Sequence, residues 1–158
     1  MAKRHSSLIE LSRDHYHGLL LAVRLQQGKK ALLRLWSHDP LYQAKFVVSF
    51  YENDLKKHFK AEEEALFPPI YKHLEGTRPL VDDLKADHRK IKEYVRGFRK
   101  PDRKTLEARL KEFGKFLEDH IRKEDRQLYP MVEKLAPPEL LAEIQEHMDP
   151  FYVAPGKS

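Results

Sequence analysis

His58-Phe59-Lys60-Ala61-Glu62-Glu63-Glu64-Ala65-Leu66-Phe67-Pro68 returns, without a gap, as His120-Ile121-Arg122-Lys123-Glu124-Asp125-Arg126-Gln127-Leu128-Tyr129-Pro130. His, Glu, Leu, an aromatic and Pro recur in register: His58/His120, Glu62/Glu124, Leu66/Leu128, Phe67/Tyr129 and Pro68/Pro130. A His and a Glu four residues apart share one face of an α-helix, one above the other. A buried carboxylate is very costly unless it is paired or holds a metal. Whether these two faces are buried therefore decides the reading.

Working outward, they read as buried. Leu41, Ala44, Val48, Tyr51 and Leu55 lead to His58, Glu62 and Ala65; Leu106, Leu110, Phe113 and Leu117 lead to His120, Glu124 and Leu128. Both stripes keep the 3.6-residue period of an amphipathic helix. Two more stripes do the same: Leu8, Leu11, His15, Leu19, Ala22, Leu25, and Leu80, Leu84, His88, Ile91, Val95, Phe98. Each carries a single His, and Asp14-His15 in one is echoed by Asp87-His88 in the other.

The punctuation supports four long helices. Ser7 and Glu10 have the spacing of a capping box, Asp39-Pro40 reads as an N-cap followed by Pro at the first helical position, and Pro101 is a stop. Pro68-Pro69 is expected to end or kink the second helix, and the third is expected to begin near Thr77. Pro130 follows the fourth stripe, and a short helix runs from Pro137-Pro138 to about His147. No segment alternates with a period of two between hairpin turns. The expected fold is all-α: an antiparallel up-down four-helix bundle with a short C-terminal helix. It forms a single domain over 1–158, with its core at about 7–135 and a C-terminal extension at 136–158.

At about 1.5 Å per residue the four His come to similar heights along the bundle. Four imidazoles and two carboxylates in one buried layer need a common explanation, and two divalent cations supply it. The expected metal ligands are His15, His58, Glu62, His88, His120 and Glu124. His17 competes with His15, but its face, with Arg13, Leu21 and Arg24, is wetter. His5, His38, His73 and His147 read as surface residues. Glu63, Glu64 and Asp125 read as solvated, Tyr51 as core packing and Trp36 as a plug at the bundle end.

Composition narrows the chemistry. The chain has 158 residues, Lys+Arg 30 against Asp+Glu 25, a net charge of +5, 9 His and no Cys. The lack of Cys excludes disulfides, thiol catalysis and thiolate metal sites. Imidazole and carboxylate without thiolate suit iron, manganese or zinc, and a metal pair in a helical bundle favours iron or manganese. The basic runs Lys56-Lys57 and Arg122-Lys123 are interleaved with acids, which disfavours nucleic acid as a partner. No apolar run could span a membrane, and no apolar stretch follows Met1-Ala2-Lys3-Arg4-His5, so the expected location is cytoplasmic.

At these residues the chain resembles the hemerythrin-like, or HHE cation-binding, family. The motif is His on the first helix, His-x-x-x-Glu on the second, His on the third and His-x-x-x-Glu on the fourth, each Glu followed by Leu-aromatic-Pro. The resemblance runs from about Leu8 to Leu135, and Leu11-Ser12-Arg13-Asp14-His15-Tyr16-His17-Gly18-Leu19 looks like a first-helix segment of bacterial members. It implies a non-haem di-iron centre, with two iron ions bridged by Glu62 and Glu124 and the four His as terminal ligands. Oxygen-carrying hemerythrins have a further His on the third helix, where this chain has Lys92 one turn after His88 and Leu84 one turn before. The missing ligand leaves positions on the metals for a small molecule. The expected function is binding or sensing of dioxygen, nitric oxide or oxidants, with a diatomic or peroxide as partner. The alternatives are an enzyme turning over peroxide or oxidising ferrous iron, and a metal-free basic bundle that binds nucleic acid or protein.

Overall fold

In the computed structural model, residues 3–28 and 36–152 are described; the last six residues of the expected extension, 153–158, lie outside them. Among the described residues there is no strand, so the all-α expectation holds. Among the described residues, five helices follow one another. Helix α1 is Ser6–Gln27. Helix α2 covers 40–73, as Pro40–Phe50, Lys56–Ala61 and Phe67–His73 joined through the wider π turns Tyr51–Leu55 and Glu62–Leu66. A 3-10 turn, Glu75–Thr77, leads into α3, Arg78–Arg99. Helix α4 covers 106–135, as Leu106–Lys123 and Tyr129–Leu135 with the π turn Glu124–Leu128 between them. Helix α5 is Pro138–Tyr152.

Several local expectations hold. Asp39 caps α2, its side chain accepting from the Leu41 N–H at 3.0 Å with Pro40 at the first helical position. Helix α3 stops at Arg99, ahead of Pro101. Others need correction. The N-cap of α1 is His5, whose Nδ1 accepts from the Ser7 N–H at 3.0 Å, while Glu10 pairs with Arg13 instead of closing a capping box. Helix α5 runs past His147 to Tyr152, with Pro150 in its last turns.

The prolines after the repeats do not break the helices. An interior Pro lacks an N–H and crowds the carbonyl four residues back. Here the preceding turn widens, so that the Phe67 N–H reaches the Glu62 carbonyl and the Tyr129 N–H reaches the Glu124 carbonyl, each five residues back. The helix continues through Pro68 and Pro130, and each of these two wide turns starts at a Glu of the repeat.

Consecutive helices meet with one residue number rising as the other falls. Glu52 pairs with Arg99, Glu63 meets His88 and Tyr71 meets Asp82 between α2 and α3. Between α3 and α4, Lys123 meets Asp87 and Phe113 meets Tyr94 and Phe98. Helices α1 and α4 approach most closely through two glycines. A Cβ on Gly18 would lie 2.8 Å from Ile121 Cδ1, and one on Gly114 would lie 2.7 Å from the Ala22 carbonyl oxygen.

The apolar core falls into two clusters. One gathers Leu21, Leu25, Val47, Leu55, Ile91, Phe98, Leu110 and Phe113, with Trp36 packed edge-on against Phe46. The other gathers Leu8, Leu11, Leu66, Ile70, Val81, Leu84, Leu128 and Val132, covered by Leu140, Ile144 and Met148 of α5. Between the two, each of α1 to α4 passes through a layer of buried polar residues: His15, His58, Glu62, His88, His120 and Glu124.

The glycines give a paired prediction. Gly114→Ala forces a methyl against backbone and should destabilise by about 1–3 kcal/mol. At Gly97 an added Cβ meets nothing within 4 Å, so Gly97→Ala should stabilise by about 0.5–1 kcal/mol through helix propensity alone. Urea unfolding of the two variants beside the parent checks both signs.

Candidate metal centre

All six expected ligands lie in that layer, each no more than 4% exposed. Their inward atoms form two groups, with all atoms of a group within 4.8 Å of one another: Glu62, His88, His120 and Glu124 in one, His15, His58 and Glu124 in the other. The first group draws its imidazoles from α3 and α4, the second from α1 and α2. Glu124 belongs to both groups, its Oε1 lying 3.1 Å from His15 Nε2 and 3.5 Å from His120 Nε2. Glu62 also faces both, its Oε1 lying 3.2 Å from His88 Nε2 and 3.3 Å from His58 Nε2.

The outer side of every ring is held. His15 Nδ1 meets Asp125 Oδ1 at 2.9 Å, and His58 Nδ1 meets Asp14 Oδ2 at 2.9 Å. His88 Nδ1 meets Glu63 Oε2 at 3.1 Å, and His120 Nδ1 meets Asp87 Oδ2 at 3.0 Å. An ionised carboxylate only accepts, so each Nδ1 carries the hydrogen and donates it. In the neutral ring the Nε2 lone pair is then bare and faces the centre, the tautomer a metal requires.

Elements position this arrangement as much as residues do. Each outer carboxylate comes from a different helix than the ring it holds. Helix α1 serves α2 (Asp14 to His58), α2 serves α3 (Glu63 to His88), α3 serves α4 (Asp87 to His120) and α4 serves α1 (Asp125 to His15). Two carboxylates carry a further tie: Tyr152 of α5 donates to Asp14 Oδ2 at 2.6 Å, and Lys123 donates to Asp87 Oδ2 at 3.0 Å. Glu63 and Asp125 are partly buried and hold rings, which corrects the solvated reading; Glu64 is exposed as expected. His17 is exposed, leaving the inward place on α1 to His15. Lys92 is exposed too, and its ammonium carries its charge beside Glu63, outside the donor layer.

The electrostatics show what the layer lacks. Burial alone would raise Glu62, yet the neighbouring His58 and His88 imidazoles hold it well below the usual carboxylate range. Burial opposes a charge on His58, but Glu62 and Asp14 outweigh it and push the ring up to about 9. His120, at the equivalent place in the repeat, is pulled down to about 4, chiefly by burial. Meanwhile His58 Nε2, His88 Nε2, His120 Nε2, Glu62 Oε1 and Glu124 Oε2 are buried without a hydrogen-bond partner among the described residues. These atoms sit close together but are not aimed at one another. Adjacent donors on one ion with bonds of about 2.1 Å stand about 3.0 Å apart, comparable with the 3.2 Å His88–Glu62 contact in the first group and the 3.1 Å His15–Glu124 contact in the second. The residues present therefore fit a metal centre.

A cavity of about 130 Å³ reaches the second group. Its outer wall includes the exposed His17, Asn53, Asp54 and Lys57; its inner wall includes His15, His58, His120 and Glu124. Among the described residues, no helix is long and apolar enough to cross a membrane.

Comparison with known proteins agrees with this geometry. The family model described as Hemerythrin HHE cation binding domain matches residues 9–132. No curated protein matches the chain, and no solved structure does.

The ring of outer carboxylates yields a prediction. Asp87→Asn or Asp14→Asn replaces an acceptor-only carboxylate with a neutral amide that can turn its NH2 to the ring, so the tautomer is no longer fixed, and should weaken metal binding by about 10–100-fold. Glu64→Gln, one residue from Glu63 but exposed, should leave it unchanged. Competition with a chromogenic chelator measures all three.

Proposed function

The chain belongs to the hemerythrin HHE cation-binding family, and from that premise we propose that it holds two iron ions and binds or senses a small oxidant: dioxygen, nitric oxide or peroxide. The observation that carries this reading is the pair of donor groups sharing Glu124, which offers a place for one ion in each half of the repeat. The donor set of imidazole and carboxylate, without thiolate, favours iron or manganese over softer metals. When bound, such a pair supplies Lewis acidity and a change of redox state.

The chain's own residues do the rest. The outer carboxylates hold each Nε2 on the centre before metal arrives. Glu62 and Glu124 span the two halves and neutralise positive charge. The apolar clusters above and below shield the layer from bulk water on those two sides, which strengthens the charge interactions within it. The cavity beside His15 and His58 has room for a diatomic or a peroxide. Its outer wall carries polar groups, among them His17, Asp54 and Lys57, that could exchange protons with a bound oxidant, and this favours peroxide turnover as the second reading.

Two measurements test the proposal. Elemental analysis after anaerobic loading with ferrous iron should give about two iron ions per chain; a protein that takes up none refutes it. Metal that binds only the native state should also stabilise it, by about 2.7 kcal/mol at a free concentration a hundredfold above the dissociation constant. Chelation should then lower the melting temperature by several degrees, whereas identical curves with and without iron would contradict the proposal.

A further inference from the structure

One buried difference between the two halves of the repeat is a single hydroxyl. Phe67 and Tyr129 occupy equivalent places, each directly before the Pro that follows the wide turn. Each lies against a His of the opposite helix pair in a similar way: Phe67 stands 5.8 Å from His88 with rings 23° apart, and Tyr129 stands 5.6 Å from His15 with rings 8° apart. Tyr129 alone adds a hydroxyl, and its side chain is fully buried.

That hydroxyl lies 3.2 Å from Glu62 Oε2 and 3.5 Å from His15 Nε2. Both neighbours are donors of the proposed metal centre. Once His15 ligates an ion its Nε2 is no longer an acceptor, and Glu62, spanning two ions, keeps only the lone pairs that the ions do not take. A buried phenol without a partner is costly. The separations of 3.2 and 3.5 Å are close to the about 3.0 Å expected between adjacent donors on one ion. The ion held by His15 and His58 also has fewer protein donors grouped around it than its neighbour, which has Glu62, His88, His120 and Glu124.

From this geometry, and resting on the two-iron reading above, we propose that Tyr129 is a further metal ligand: its phenolate oxygen binds the ion held by His15 and His58. On metal entry the phenol O–H bond breaks as the oxygen–metal bond forms, and the proton is released to solvent. No electron is transferred. The outcome is an asymmetric pair, with a hard anionic oxygen donor on the ion beside the cavity and a phenyl ring at the same place in the other half.

The test uses the full chain loaded with iron and oxidised in air, with iron content and spectra measured together. The wild type should show a visible phenolate-to-iron charge-transfer band whose resonance Raman spectrum contains tyrosine ring modes. These modes should shift when the protein is made with ring-deuterated tyrosine. Tyr129→Phe should abolish the band while iron content stays at the wild-type value, and Tyr71→Phe, at an exposed phenol, should keep it. Wild-type protein with full iron and no tyrosine modes overturns the assignment and leaves the metal centre standing, as does a band that survives in Tyr129→Phe. A wild type that takes up no iron overturns both. If Tyr129→Phe does not fold, the isotope shift in the wild type alone decides.

Discussion

Six ionisable side chains in one layer, between two apolar clusters, are the constraint on which the rest of the molecule depends. Burying one unpaired carboxylate or imidazolium in such a place costs more than most single interactions return. Here two carboxylates and four imidazoles are buried together, and five of their inward atoms have no hydrogen-bond partner among the described residues. Partial pairing lowers the cost in the protein alone, as the opposite displacements of Glu62 and His58 show. It does not remove it. A cation at each donor group would satisfy the lone pairs and cancel the charge at once, so binding energy and folding energy become the same quantity.

The outer carboxylates turn this local chemistry into architecture. Each of α1 to α4 lends an acid to the imidazole of the next, and α4 lends one back to α1, closing the circuit. A single helix could not supply this, because a side chain cannot easily reach round its own axis to the far edge of a ring one residue away. The circuit therefore specifies which helix neighbours which. Apolar packing, which is non-directional, specifies that far less well.

Much of this was legible in the sequence. The donors show because His-x-x-x-Glu occurs twice in register and because a His in an apolar stripe is conspicuous. The all-α class shows because all four stripes share one period. Glu63 and Asp125 did not show: one residue on from a ligand is about 100° round the helix, which in isolation points to solvent. Only the neighbouring helix turns those positions into ring holders. Asp14 and Asp87 did leave a trace, the repeated Asp-His pair, but their partners His58 and His120 are on other helices, where helical periodicity cannot look. The capping box does not form because Ser7 is buried and its N–H donates to His5 Nδ1, whereas Glu10 is drawn to Arg13. For a related reason, the prolines left open whether the helix ends or kinks. They forbid an α turn, and the sequence gives no sign that a wider turn stands in for it.

Those wide turns bear on how the chain can change over time. A π turn contains one residue more than the α turn it replaces, so the helix beyond it is re-phased by about 100°. In Glu62–Leu66 and Glu124–Leu128 the extra residue sets the faces of Phe67–His73 and Tyr129–Leu135 toward the second apolar cluster. Losing one residue from either stretch would rotate that face away and bring the proline ring back against a carbonyl. Gaining one would do comparable damage to the phase. These two five-residue stretches are therefore fixed in length although their exposed positions, such as Glu64, Arg126 and Gln127, are free to vary in kind. Across related chains, substitution should be common there and insertion or deletion rare, the reverse of the pattern in an ordinary surface loop.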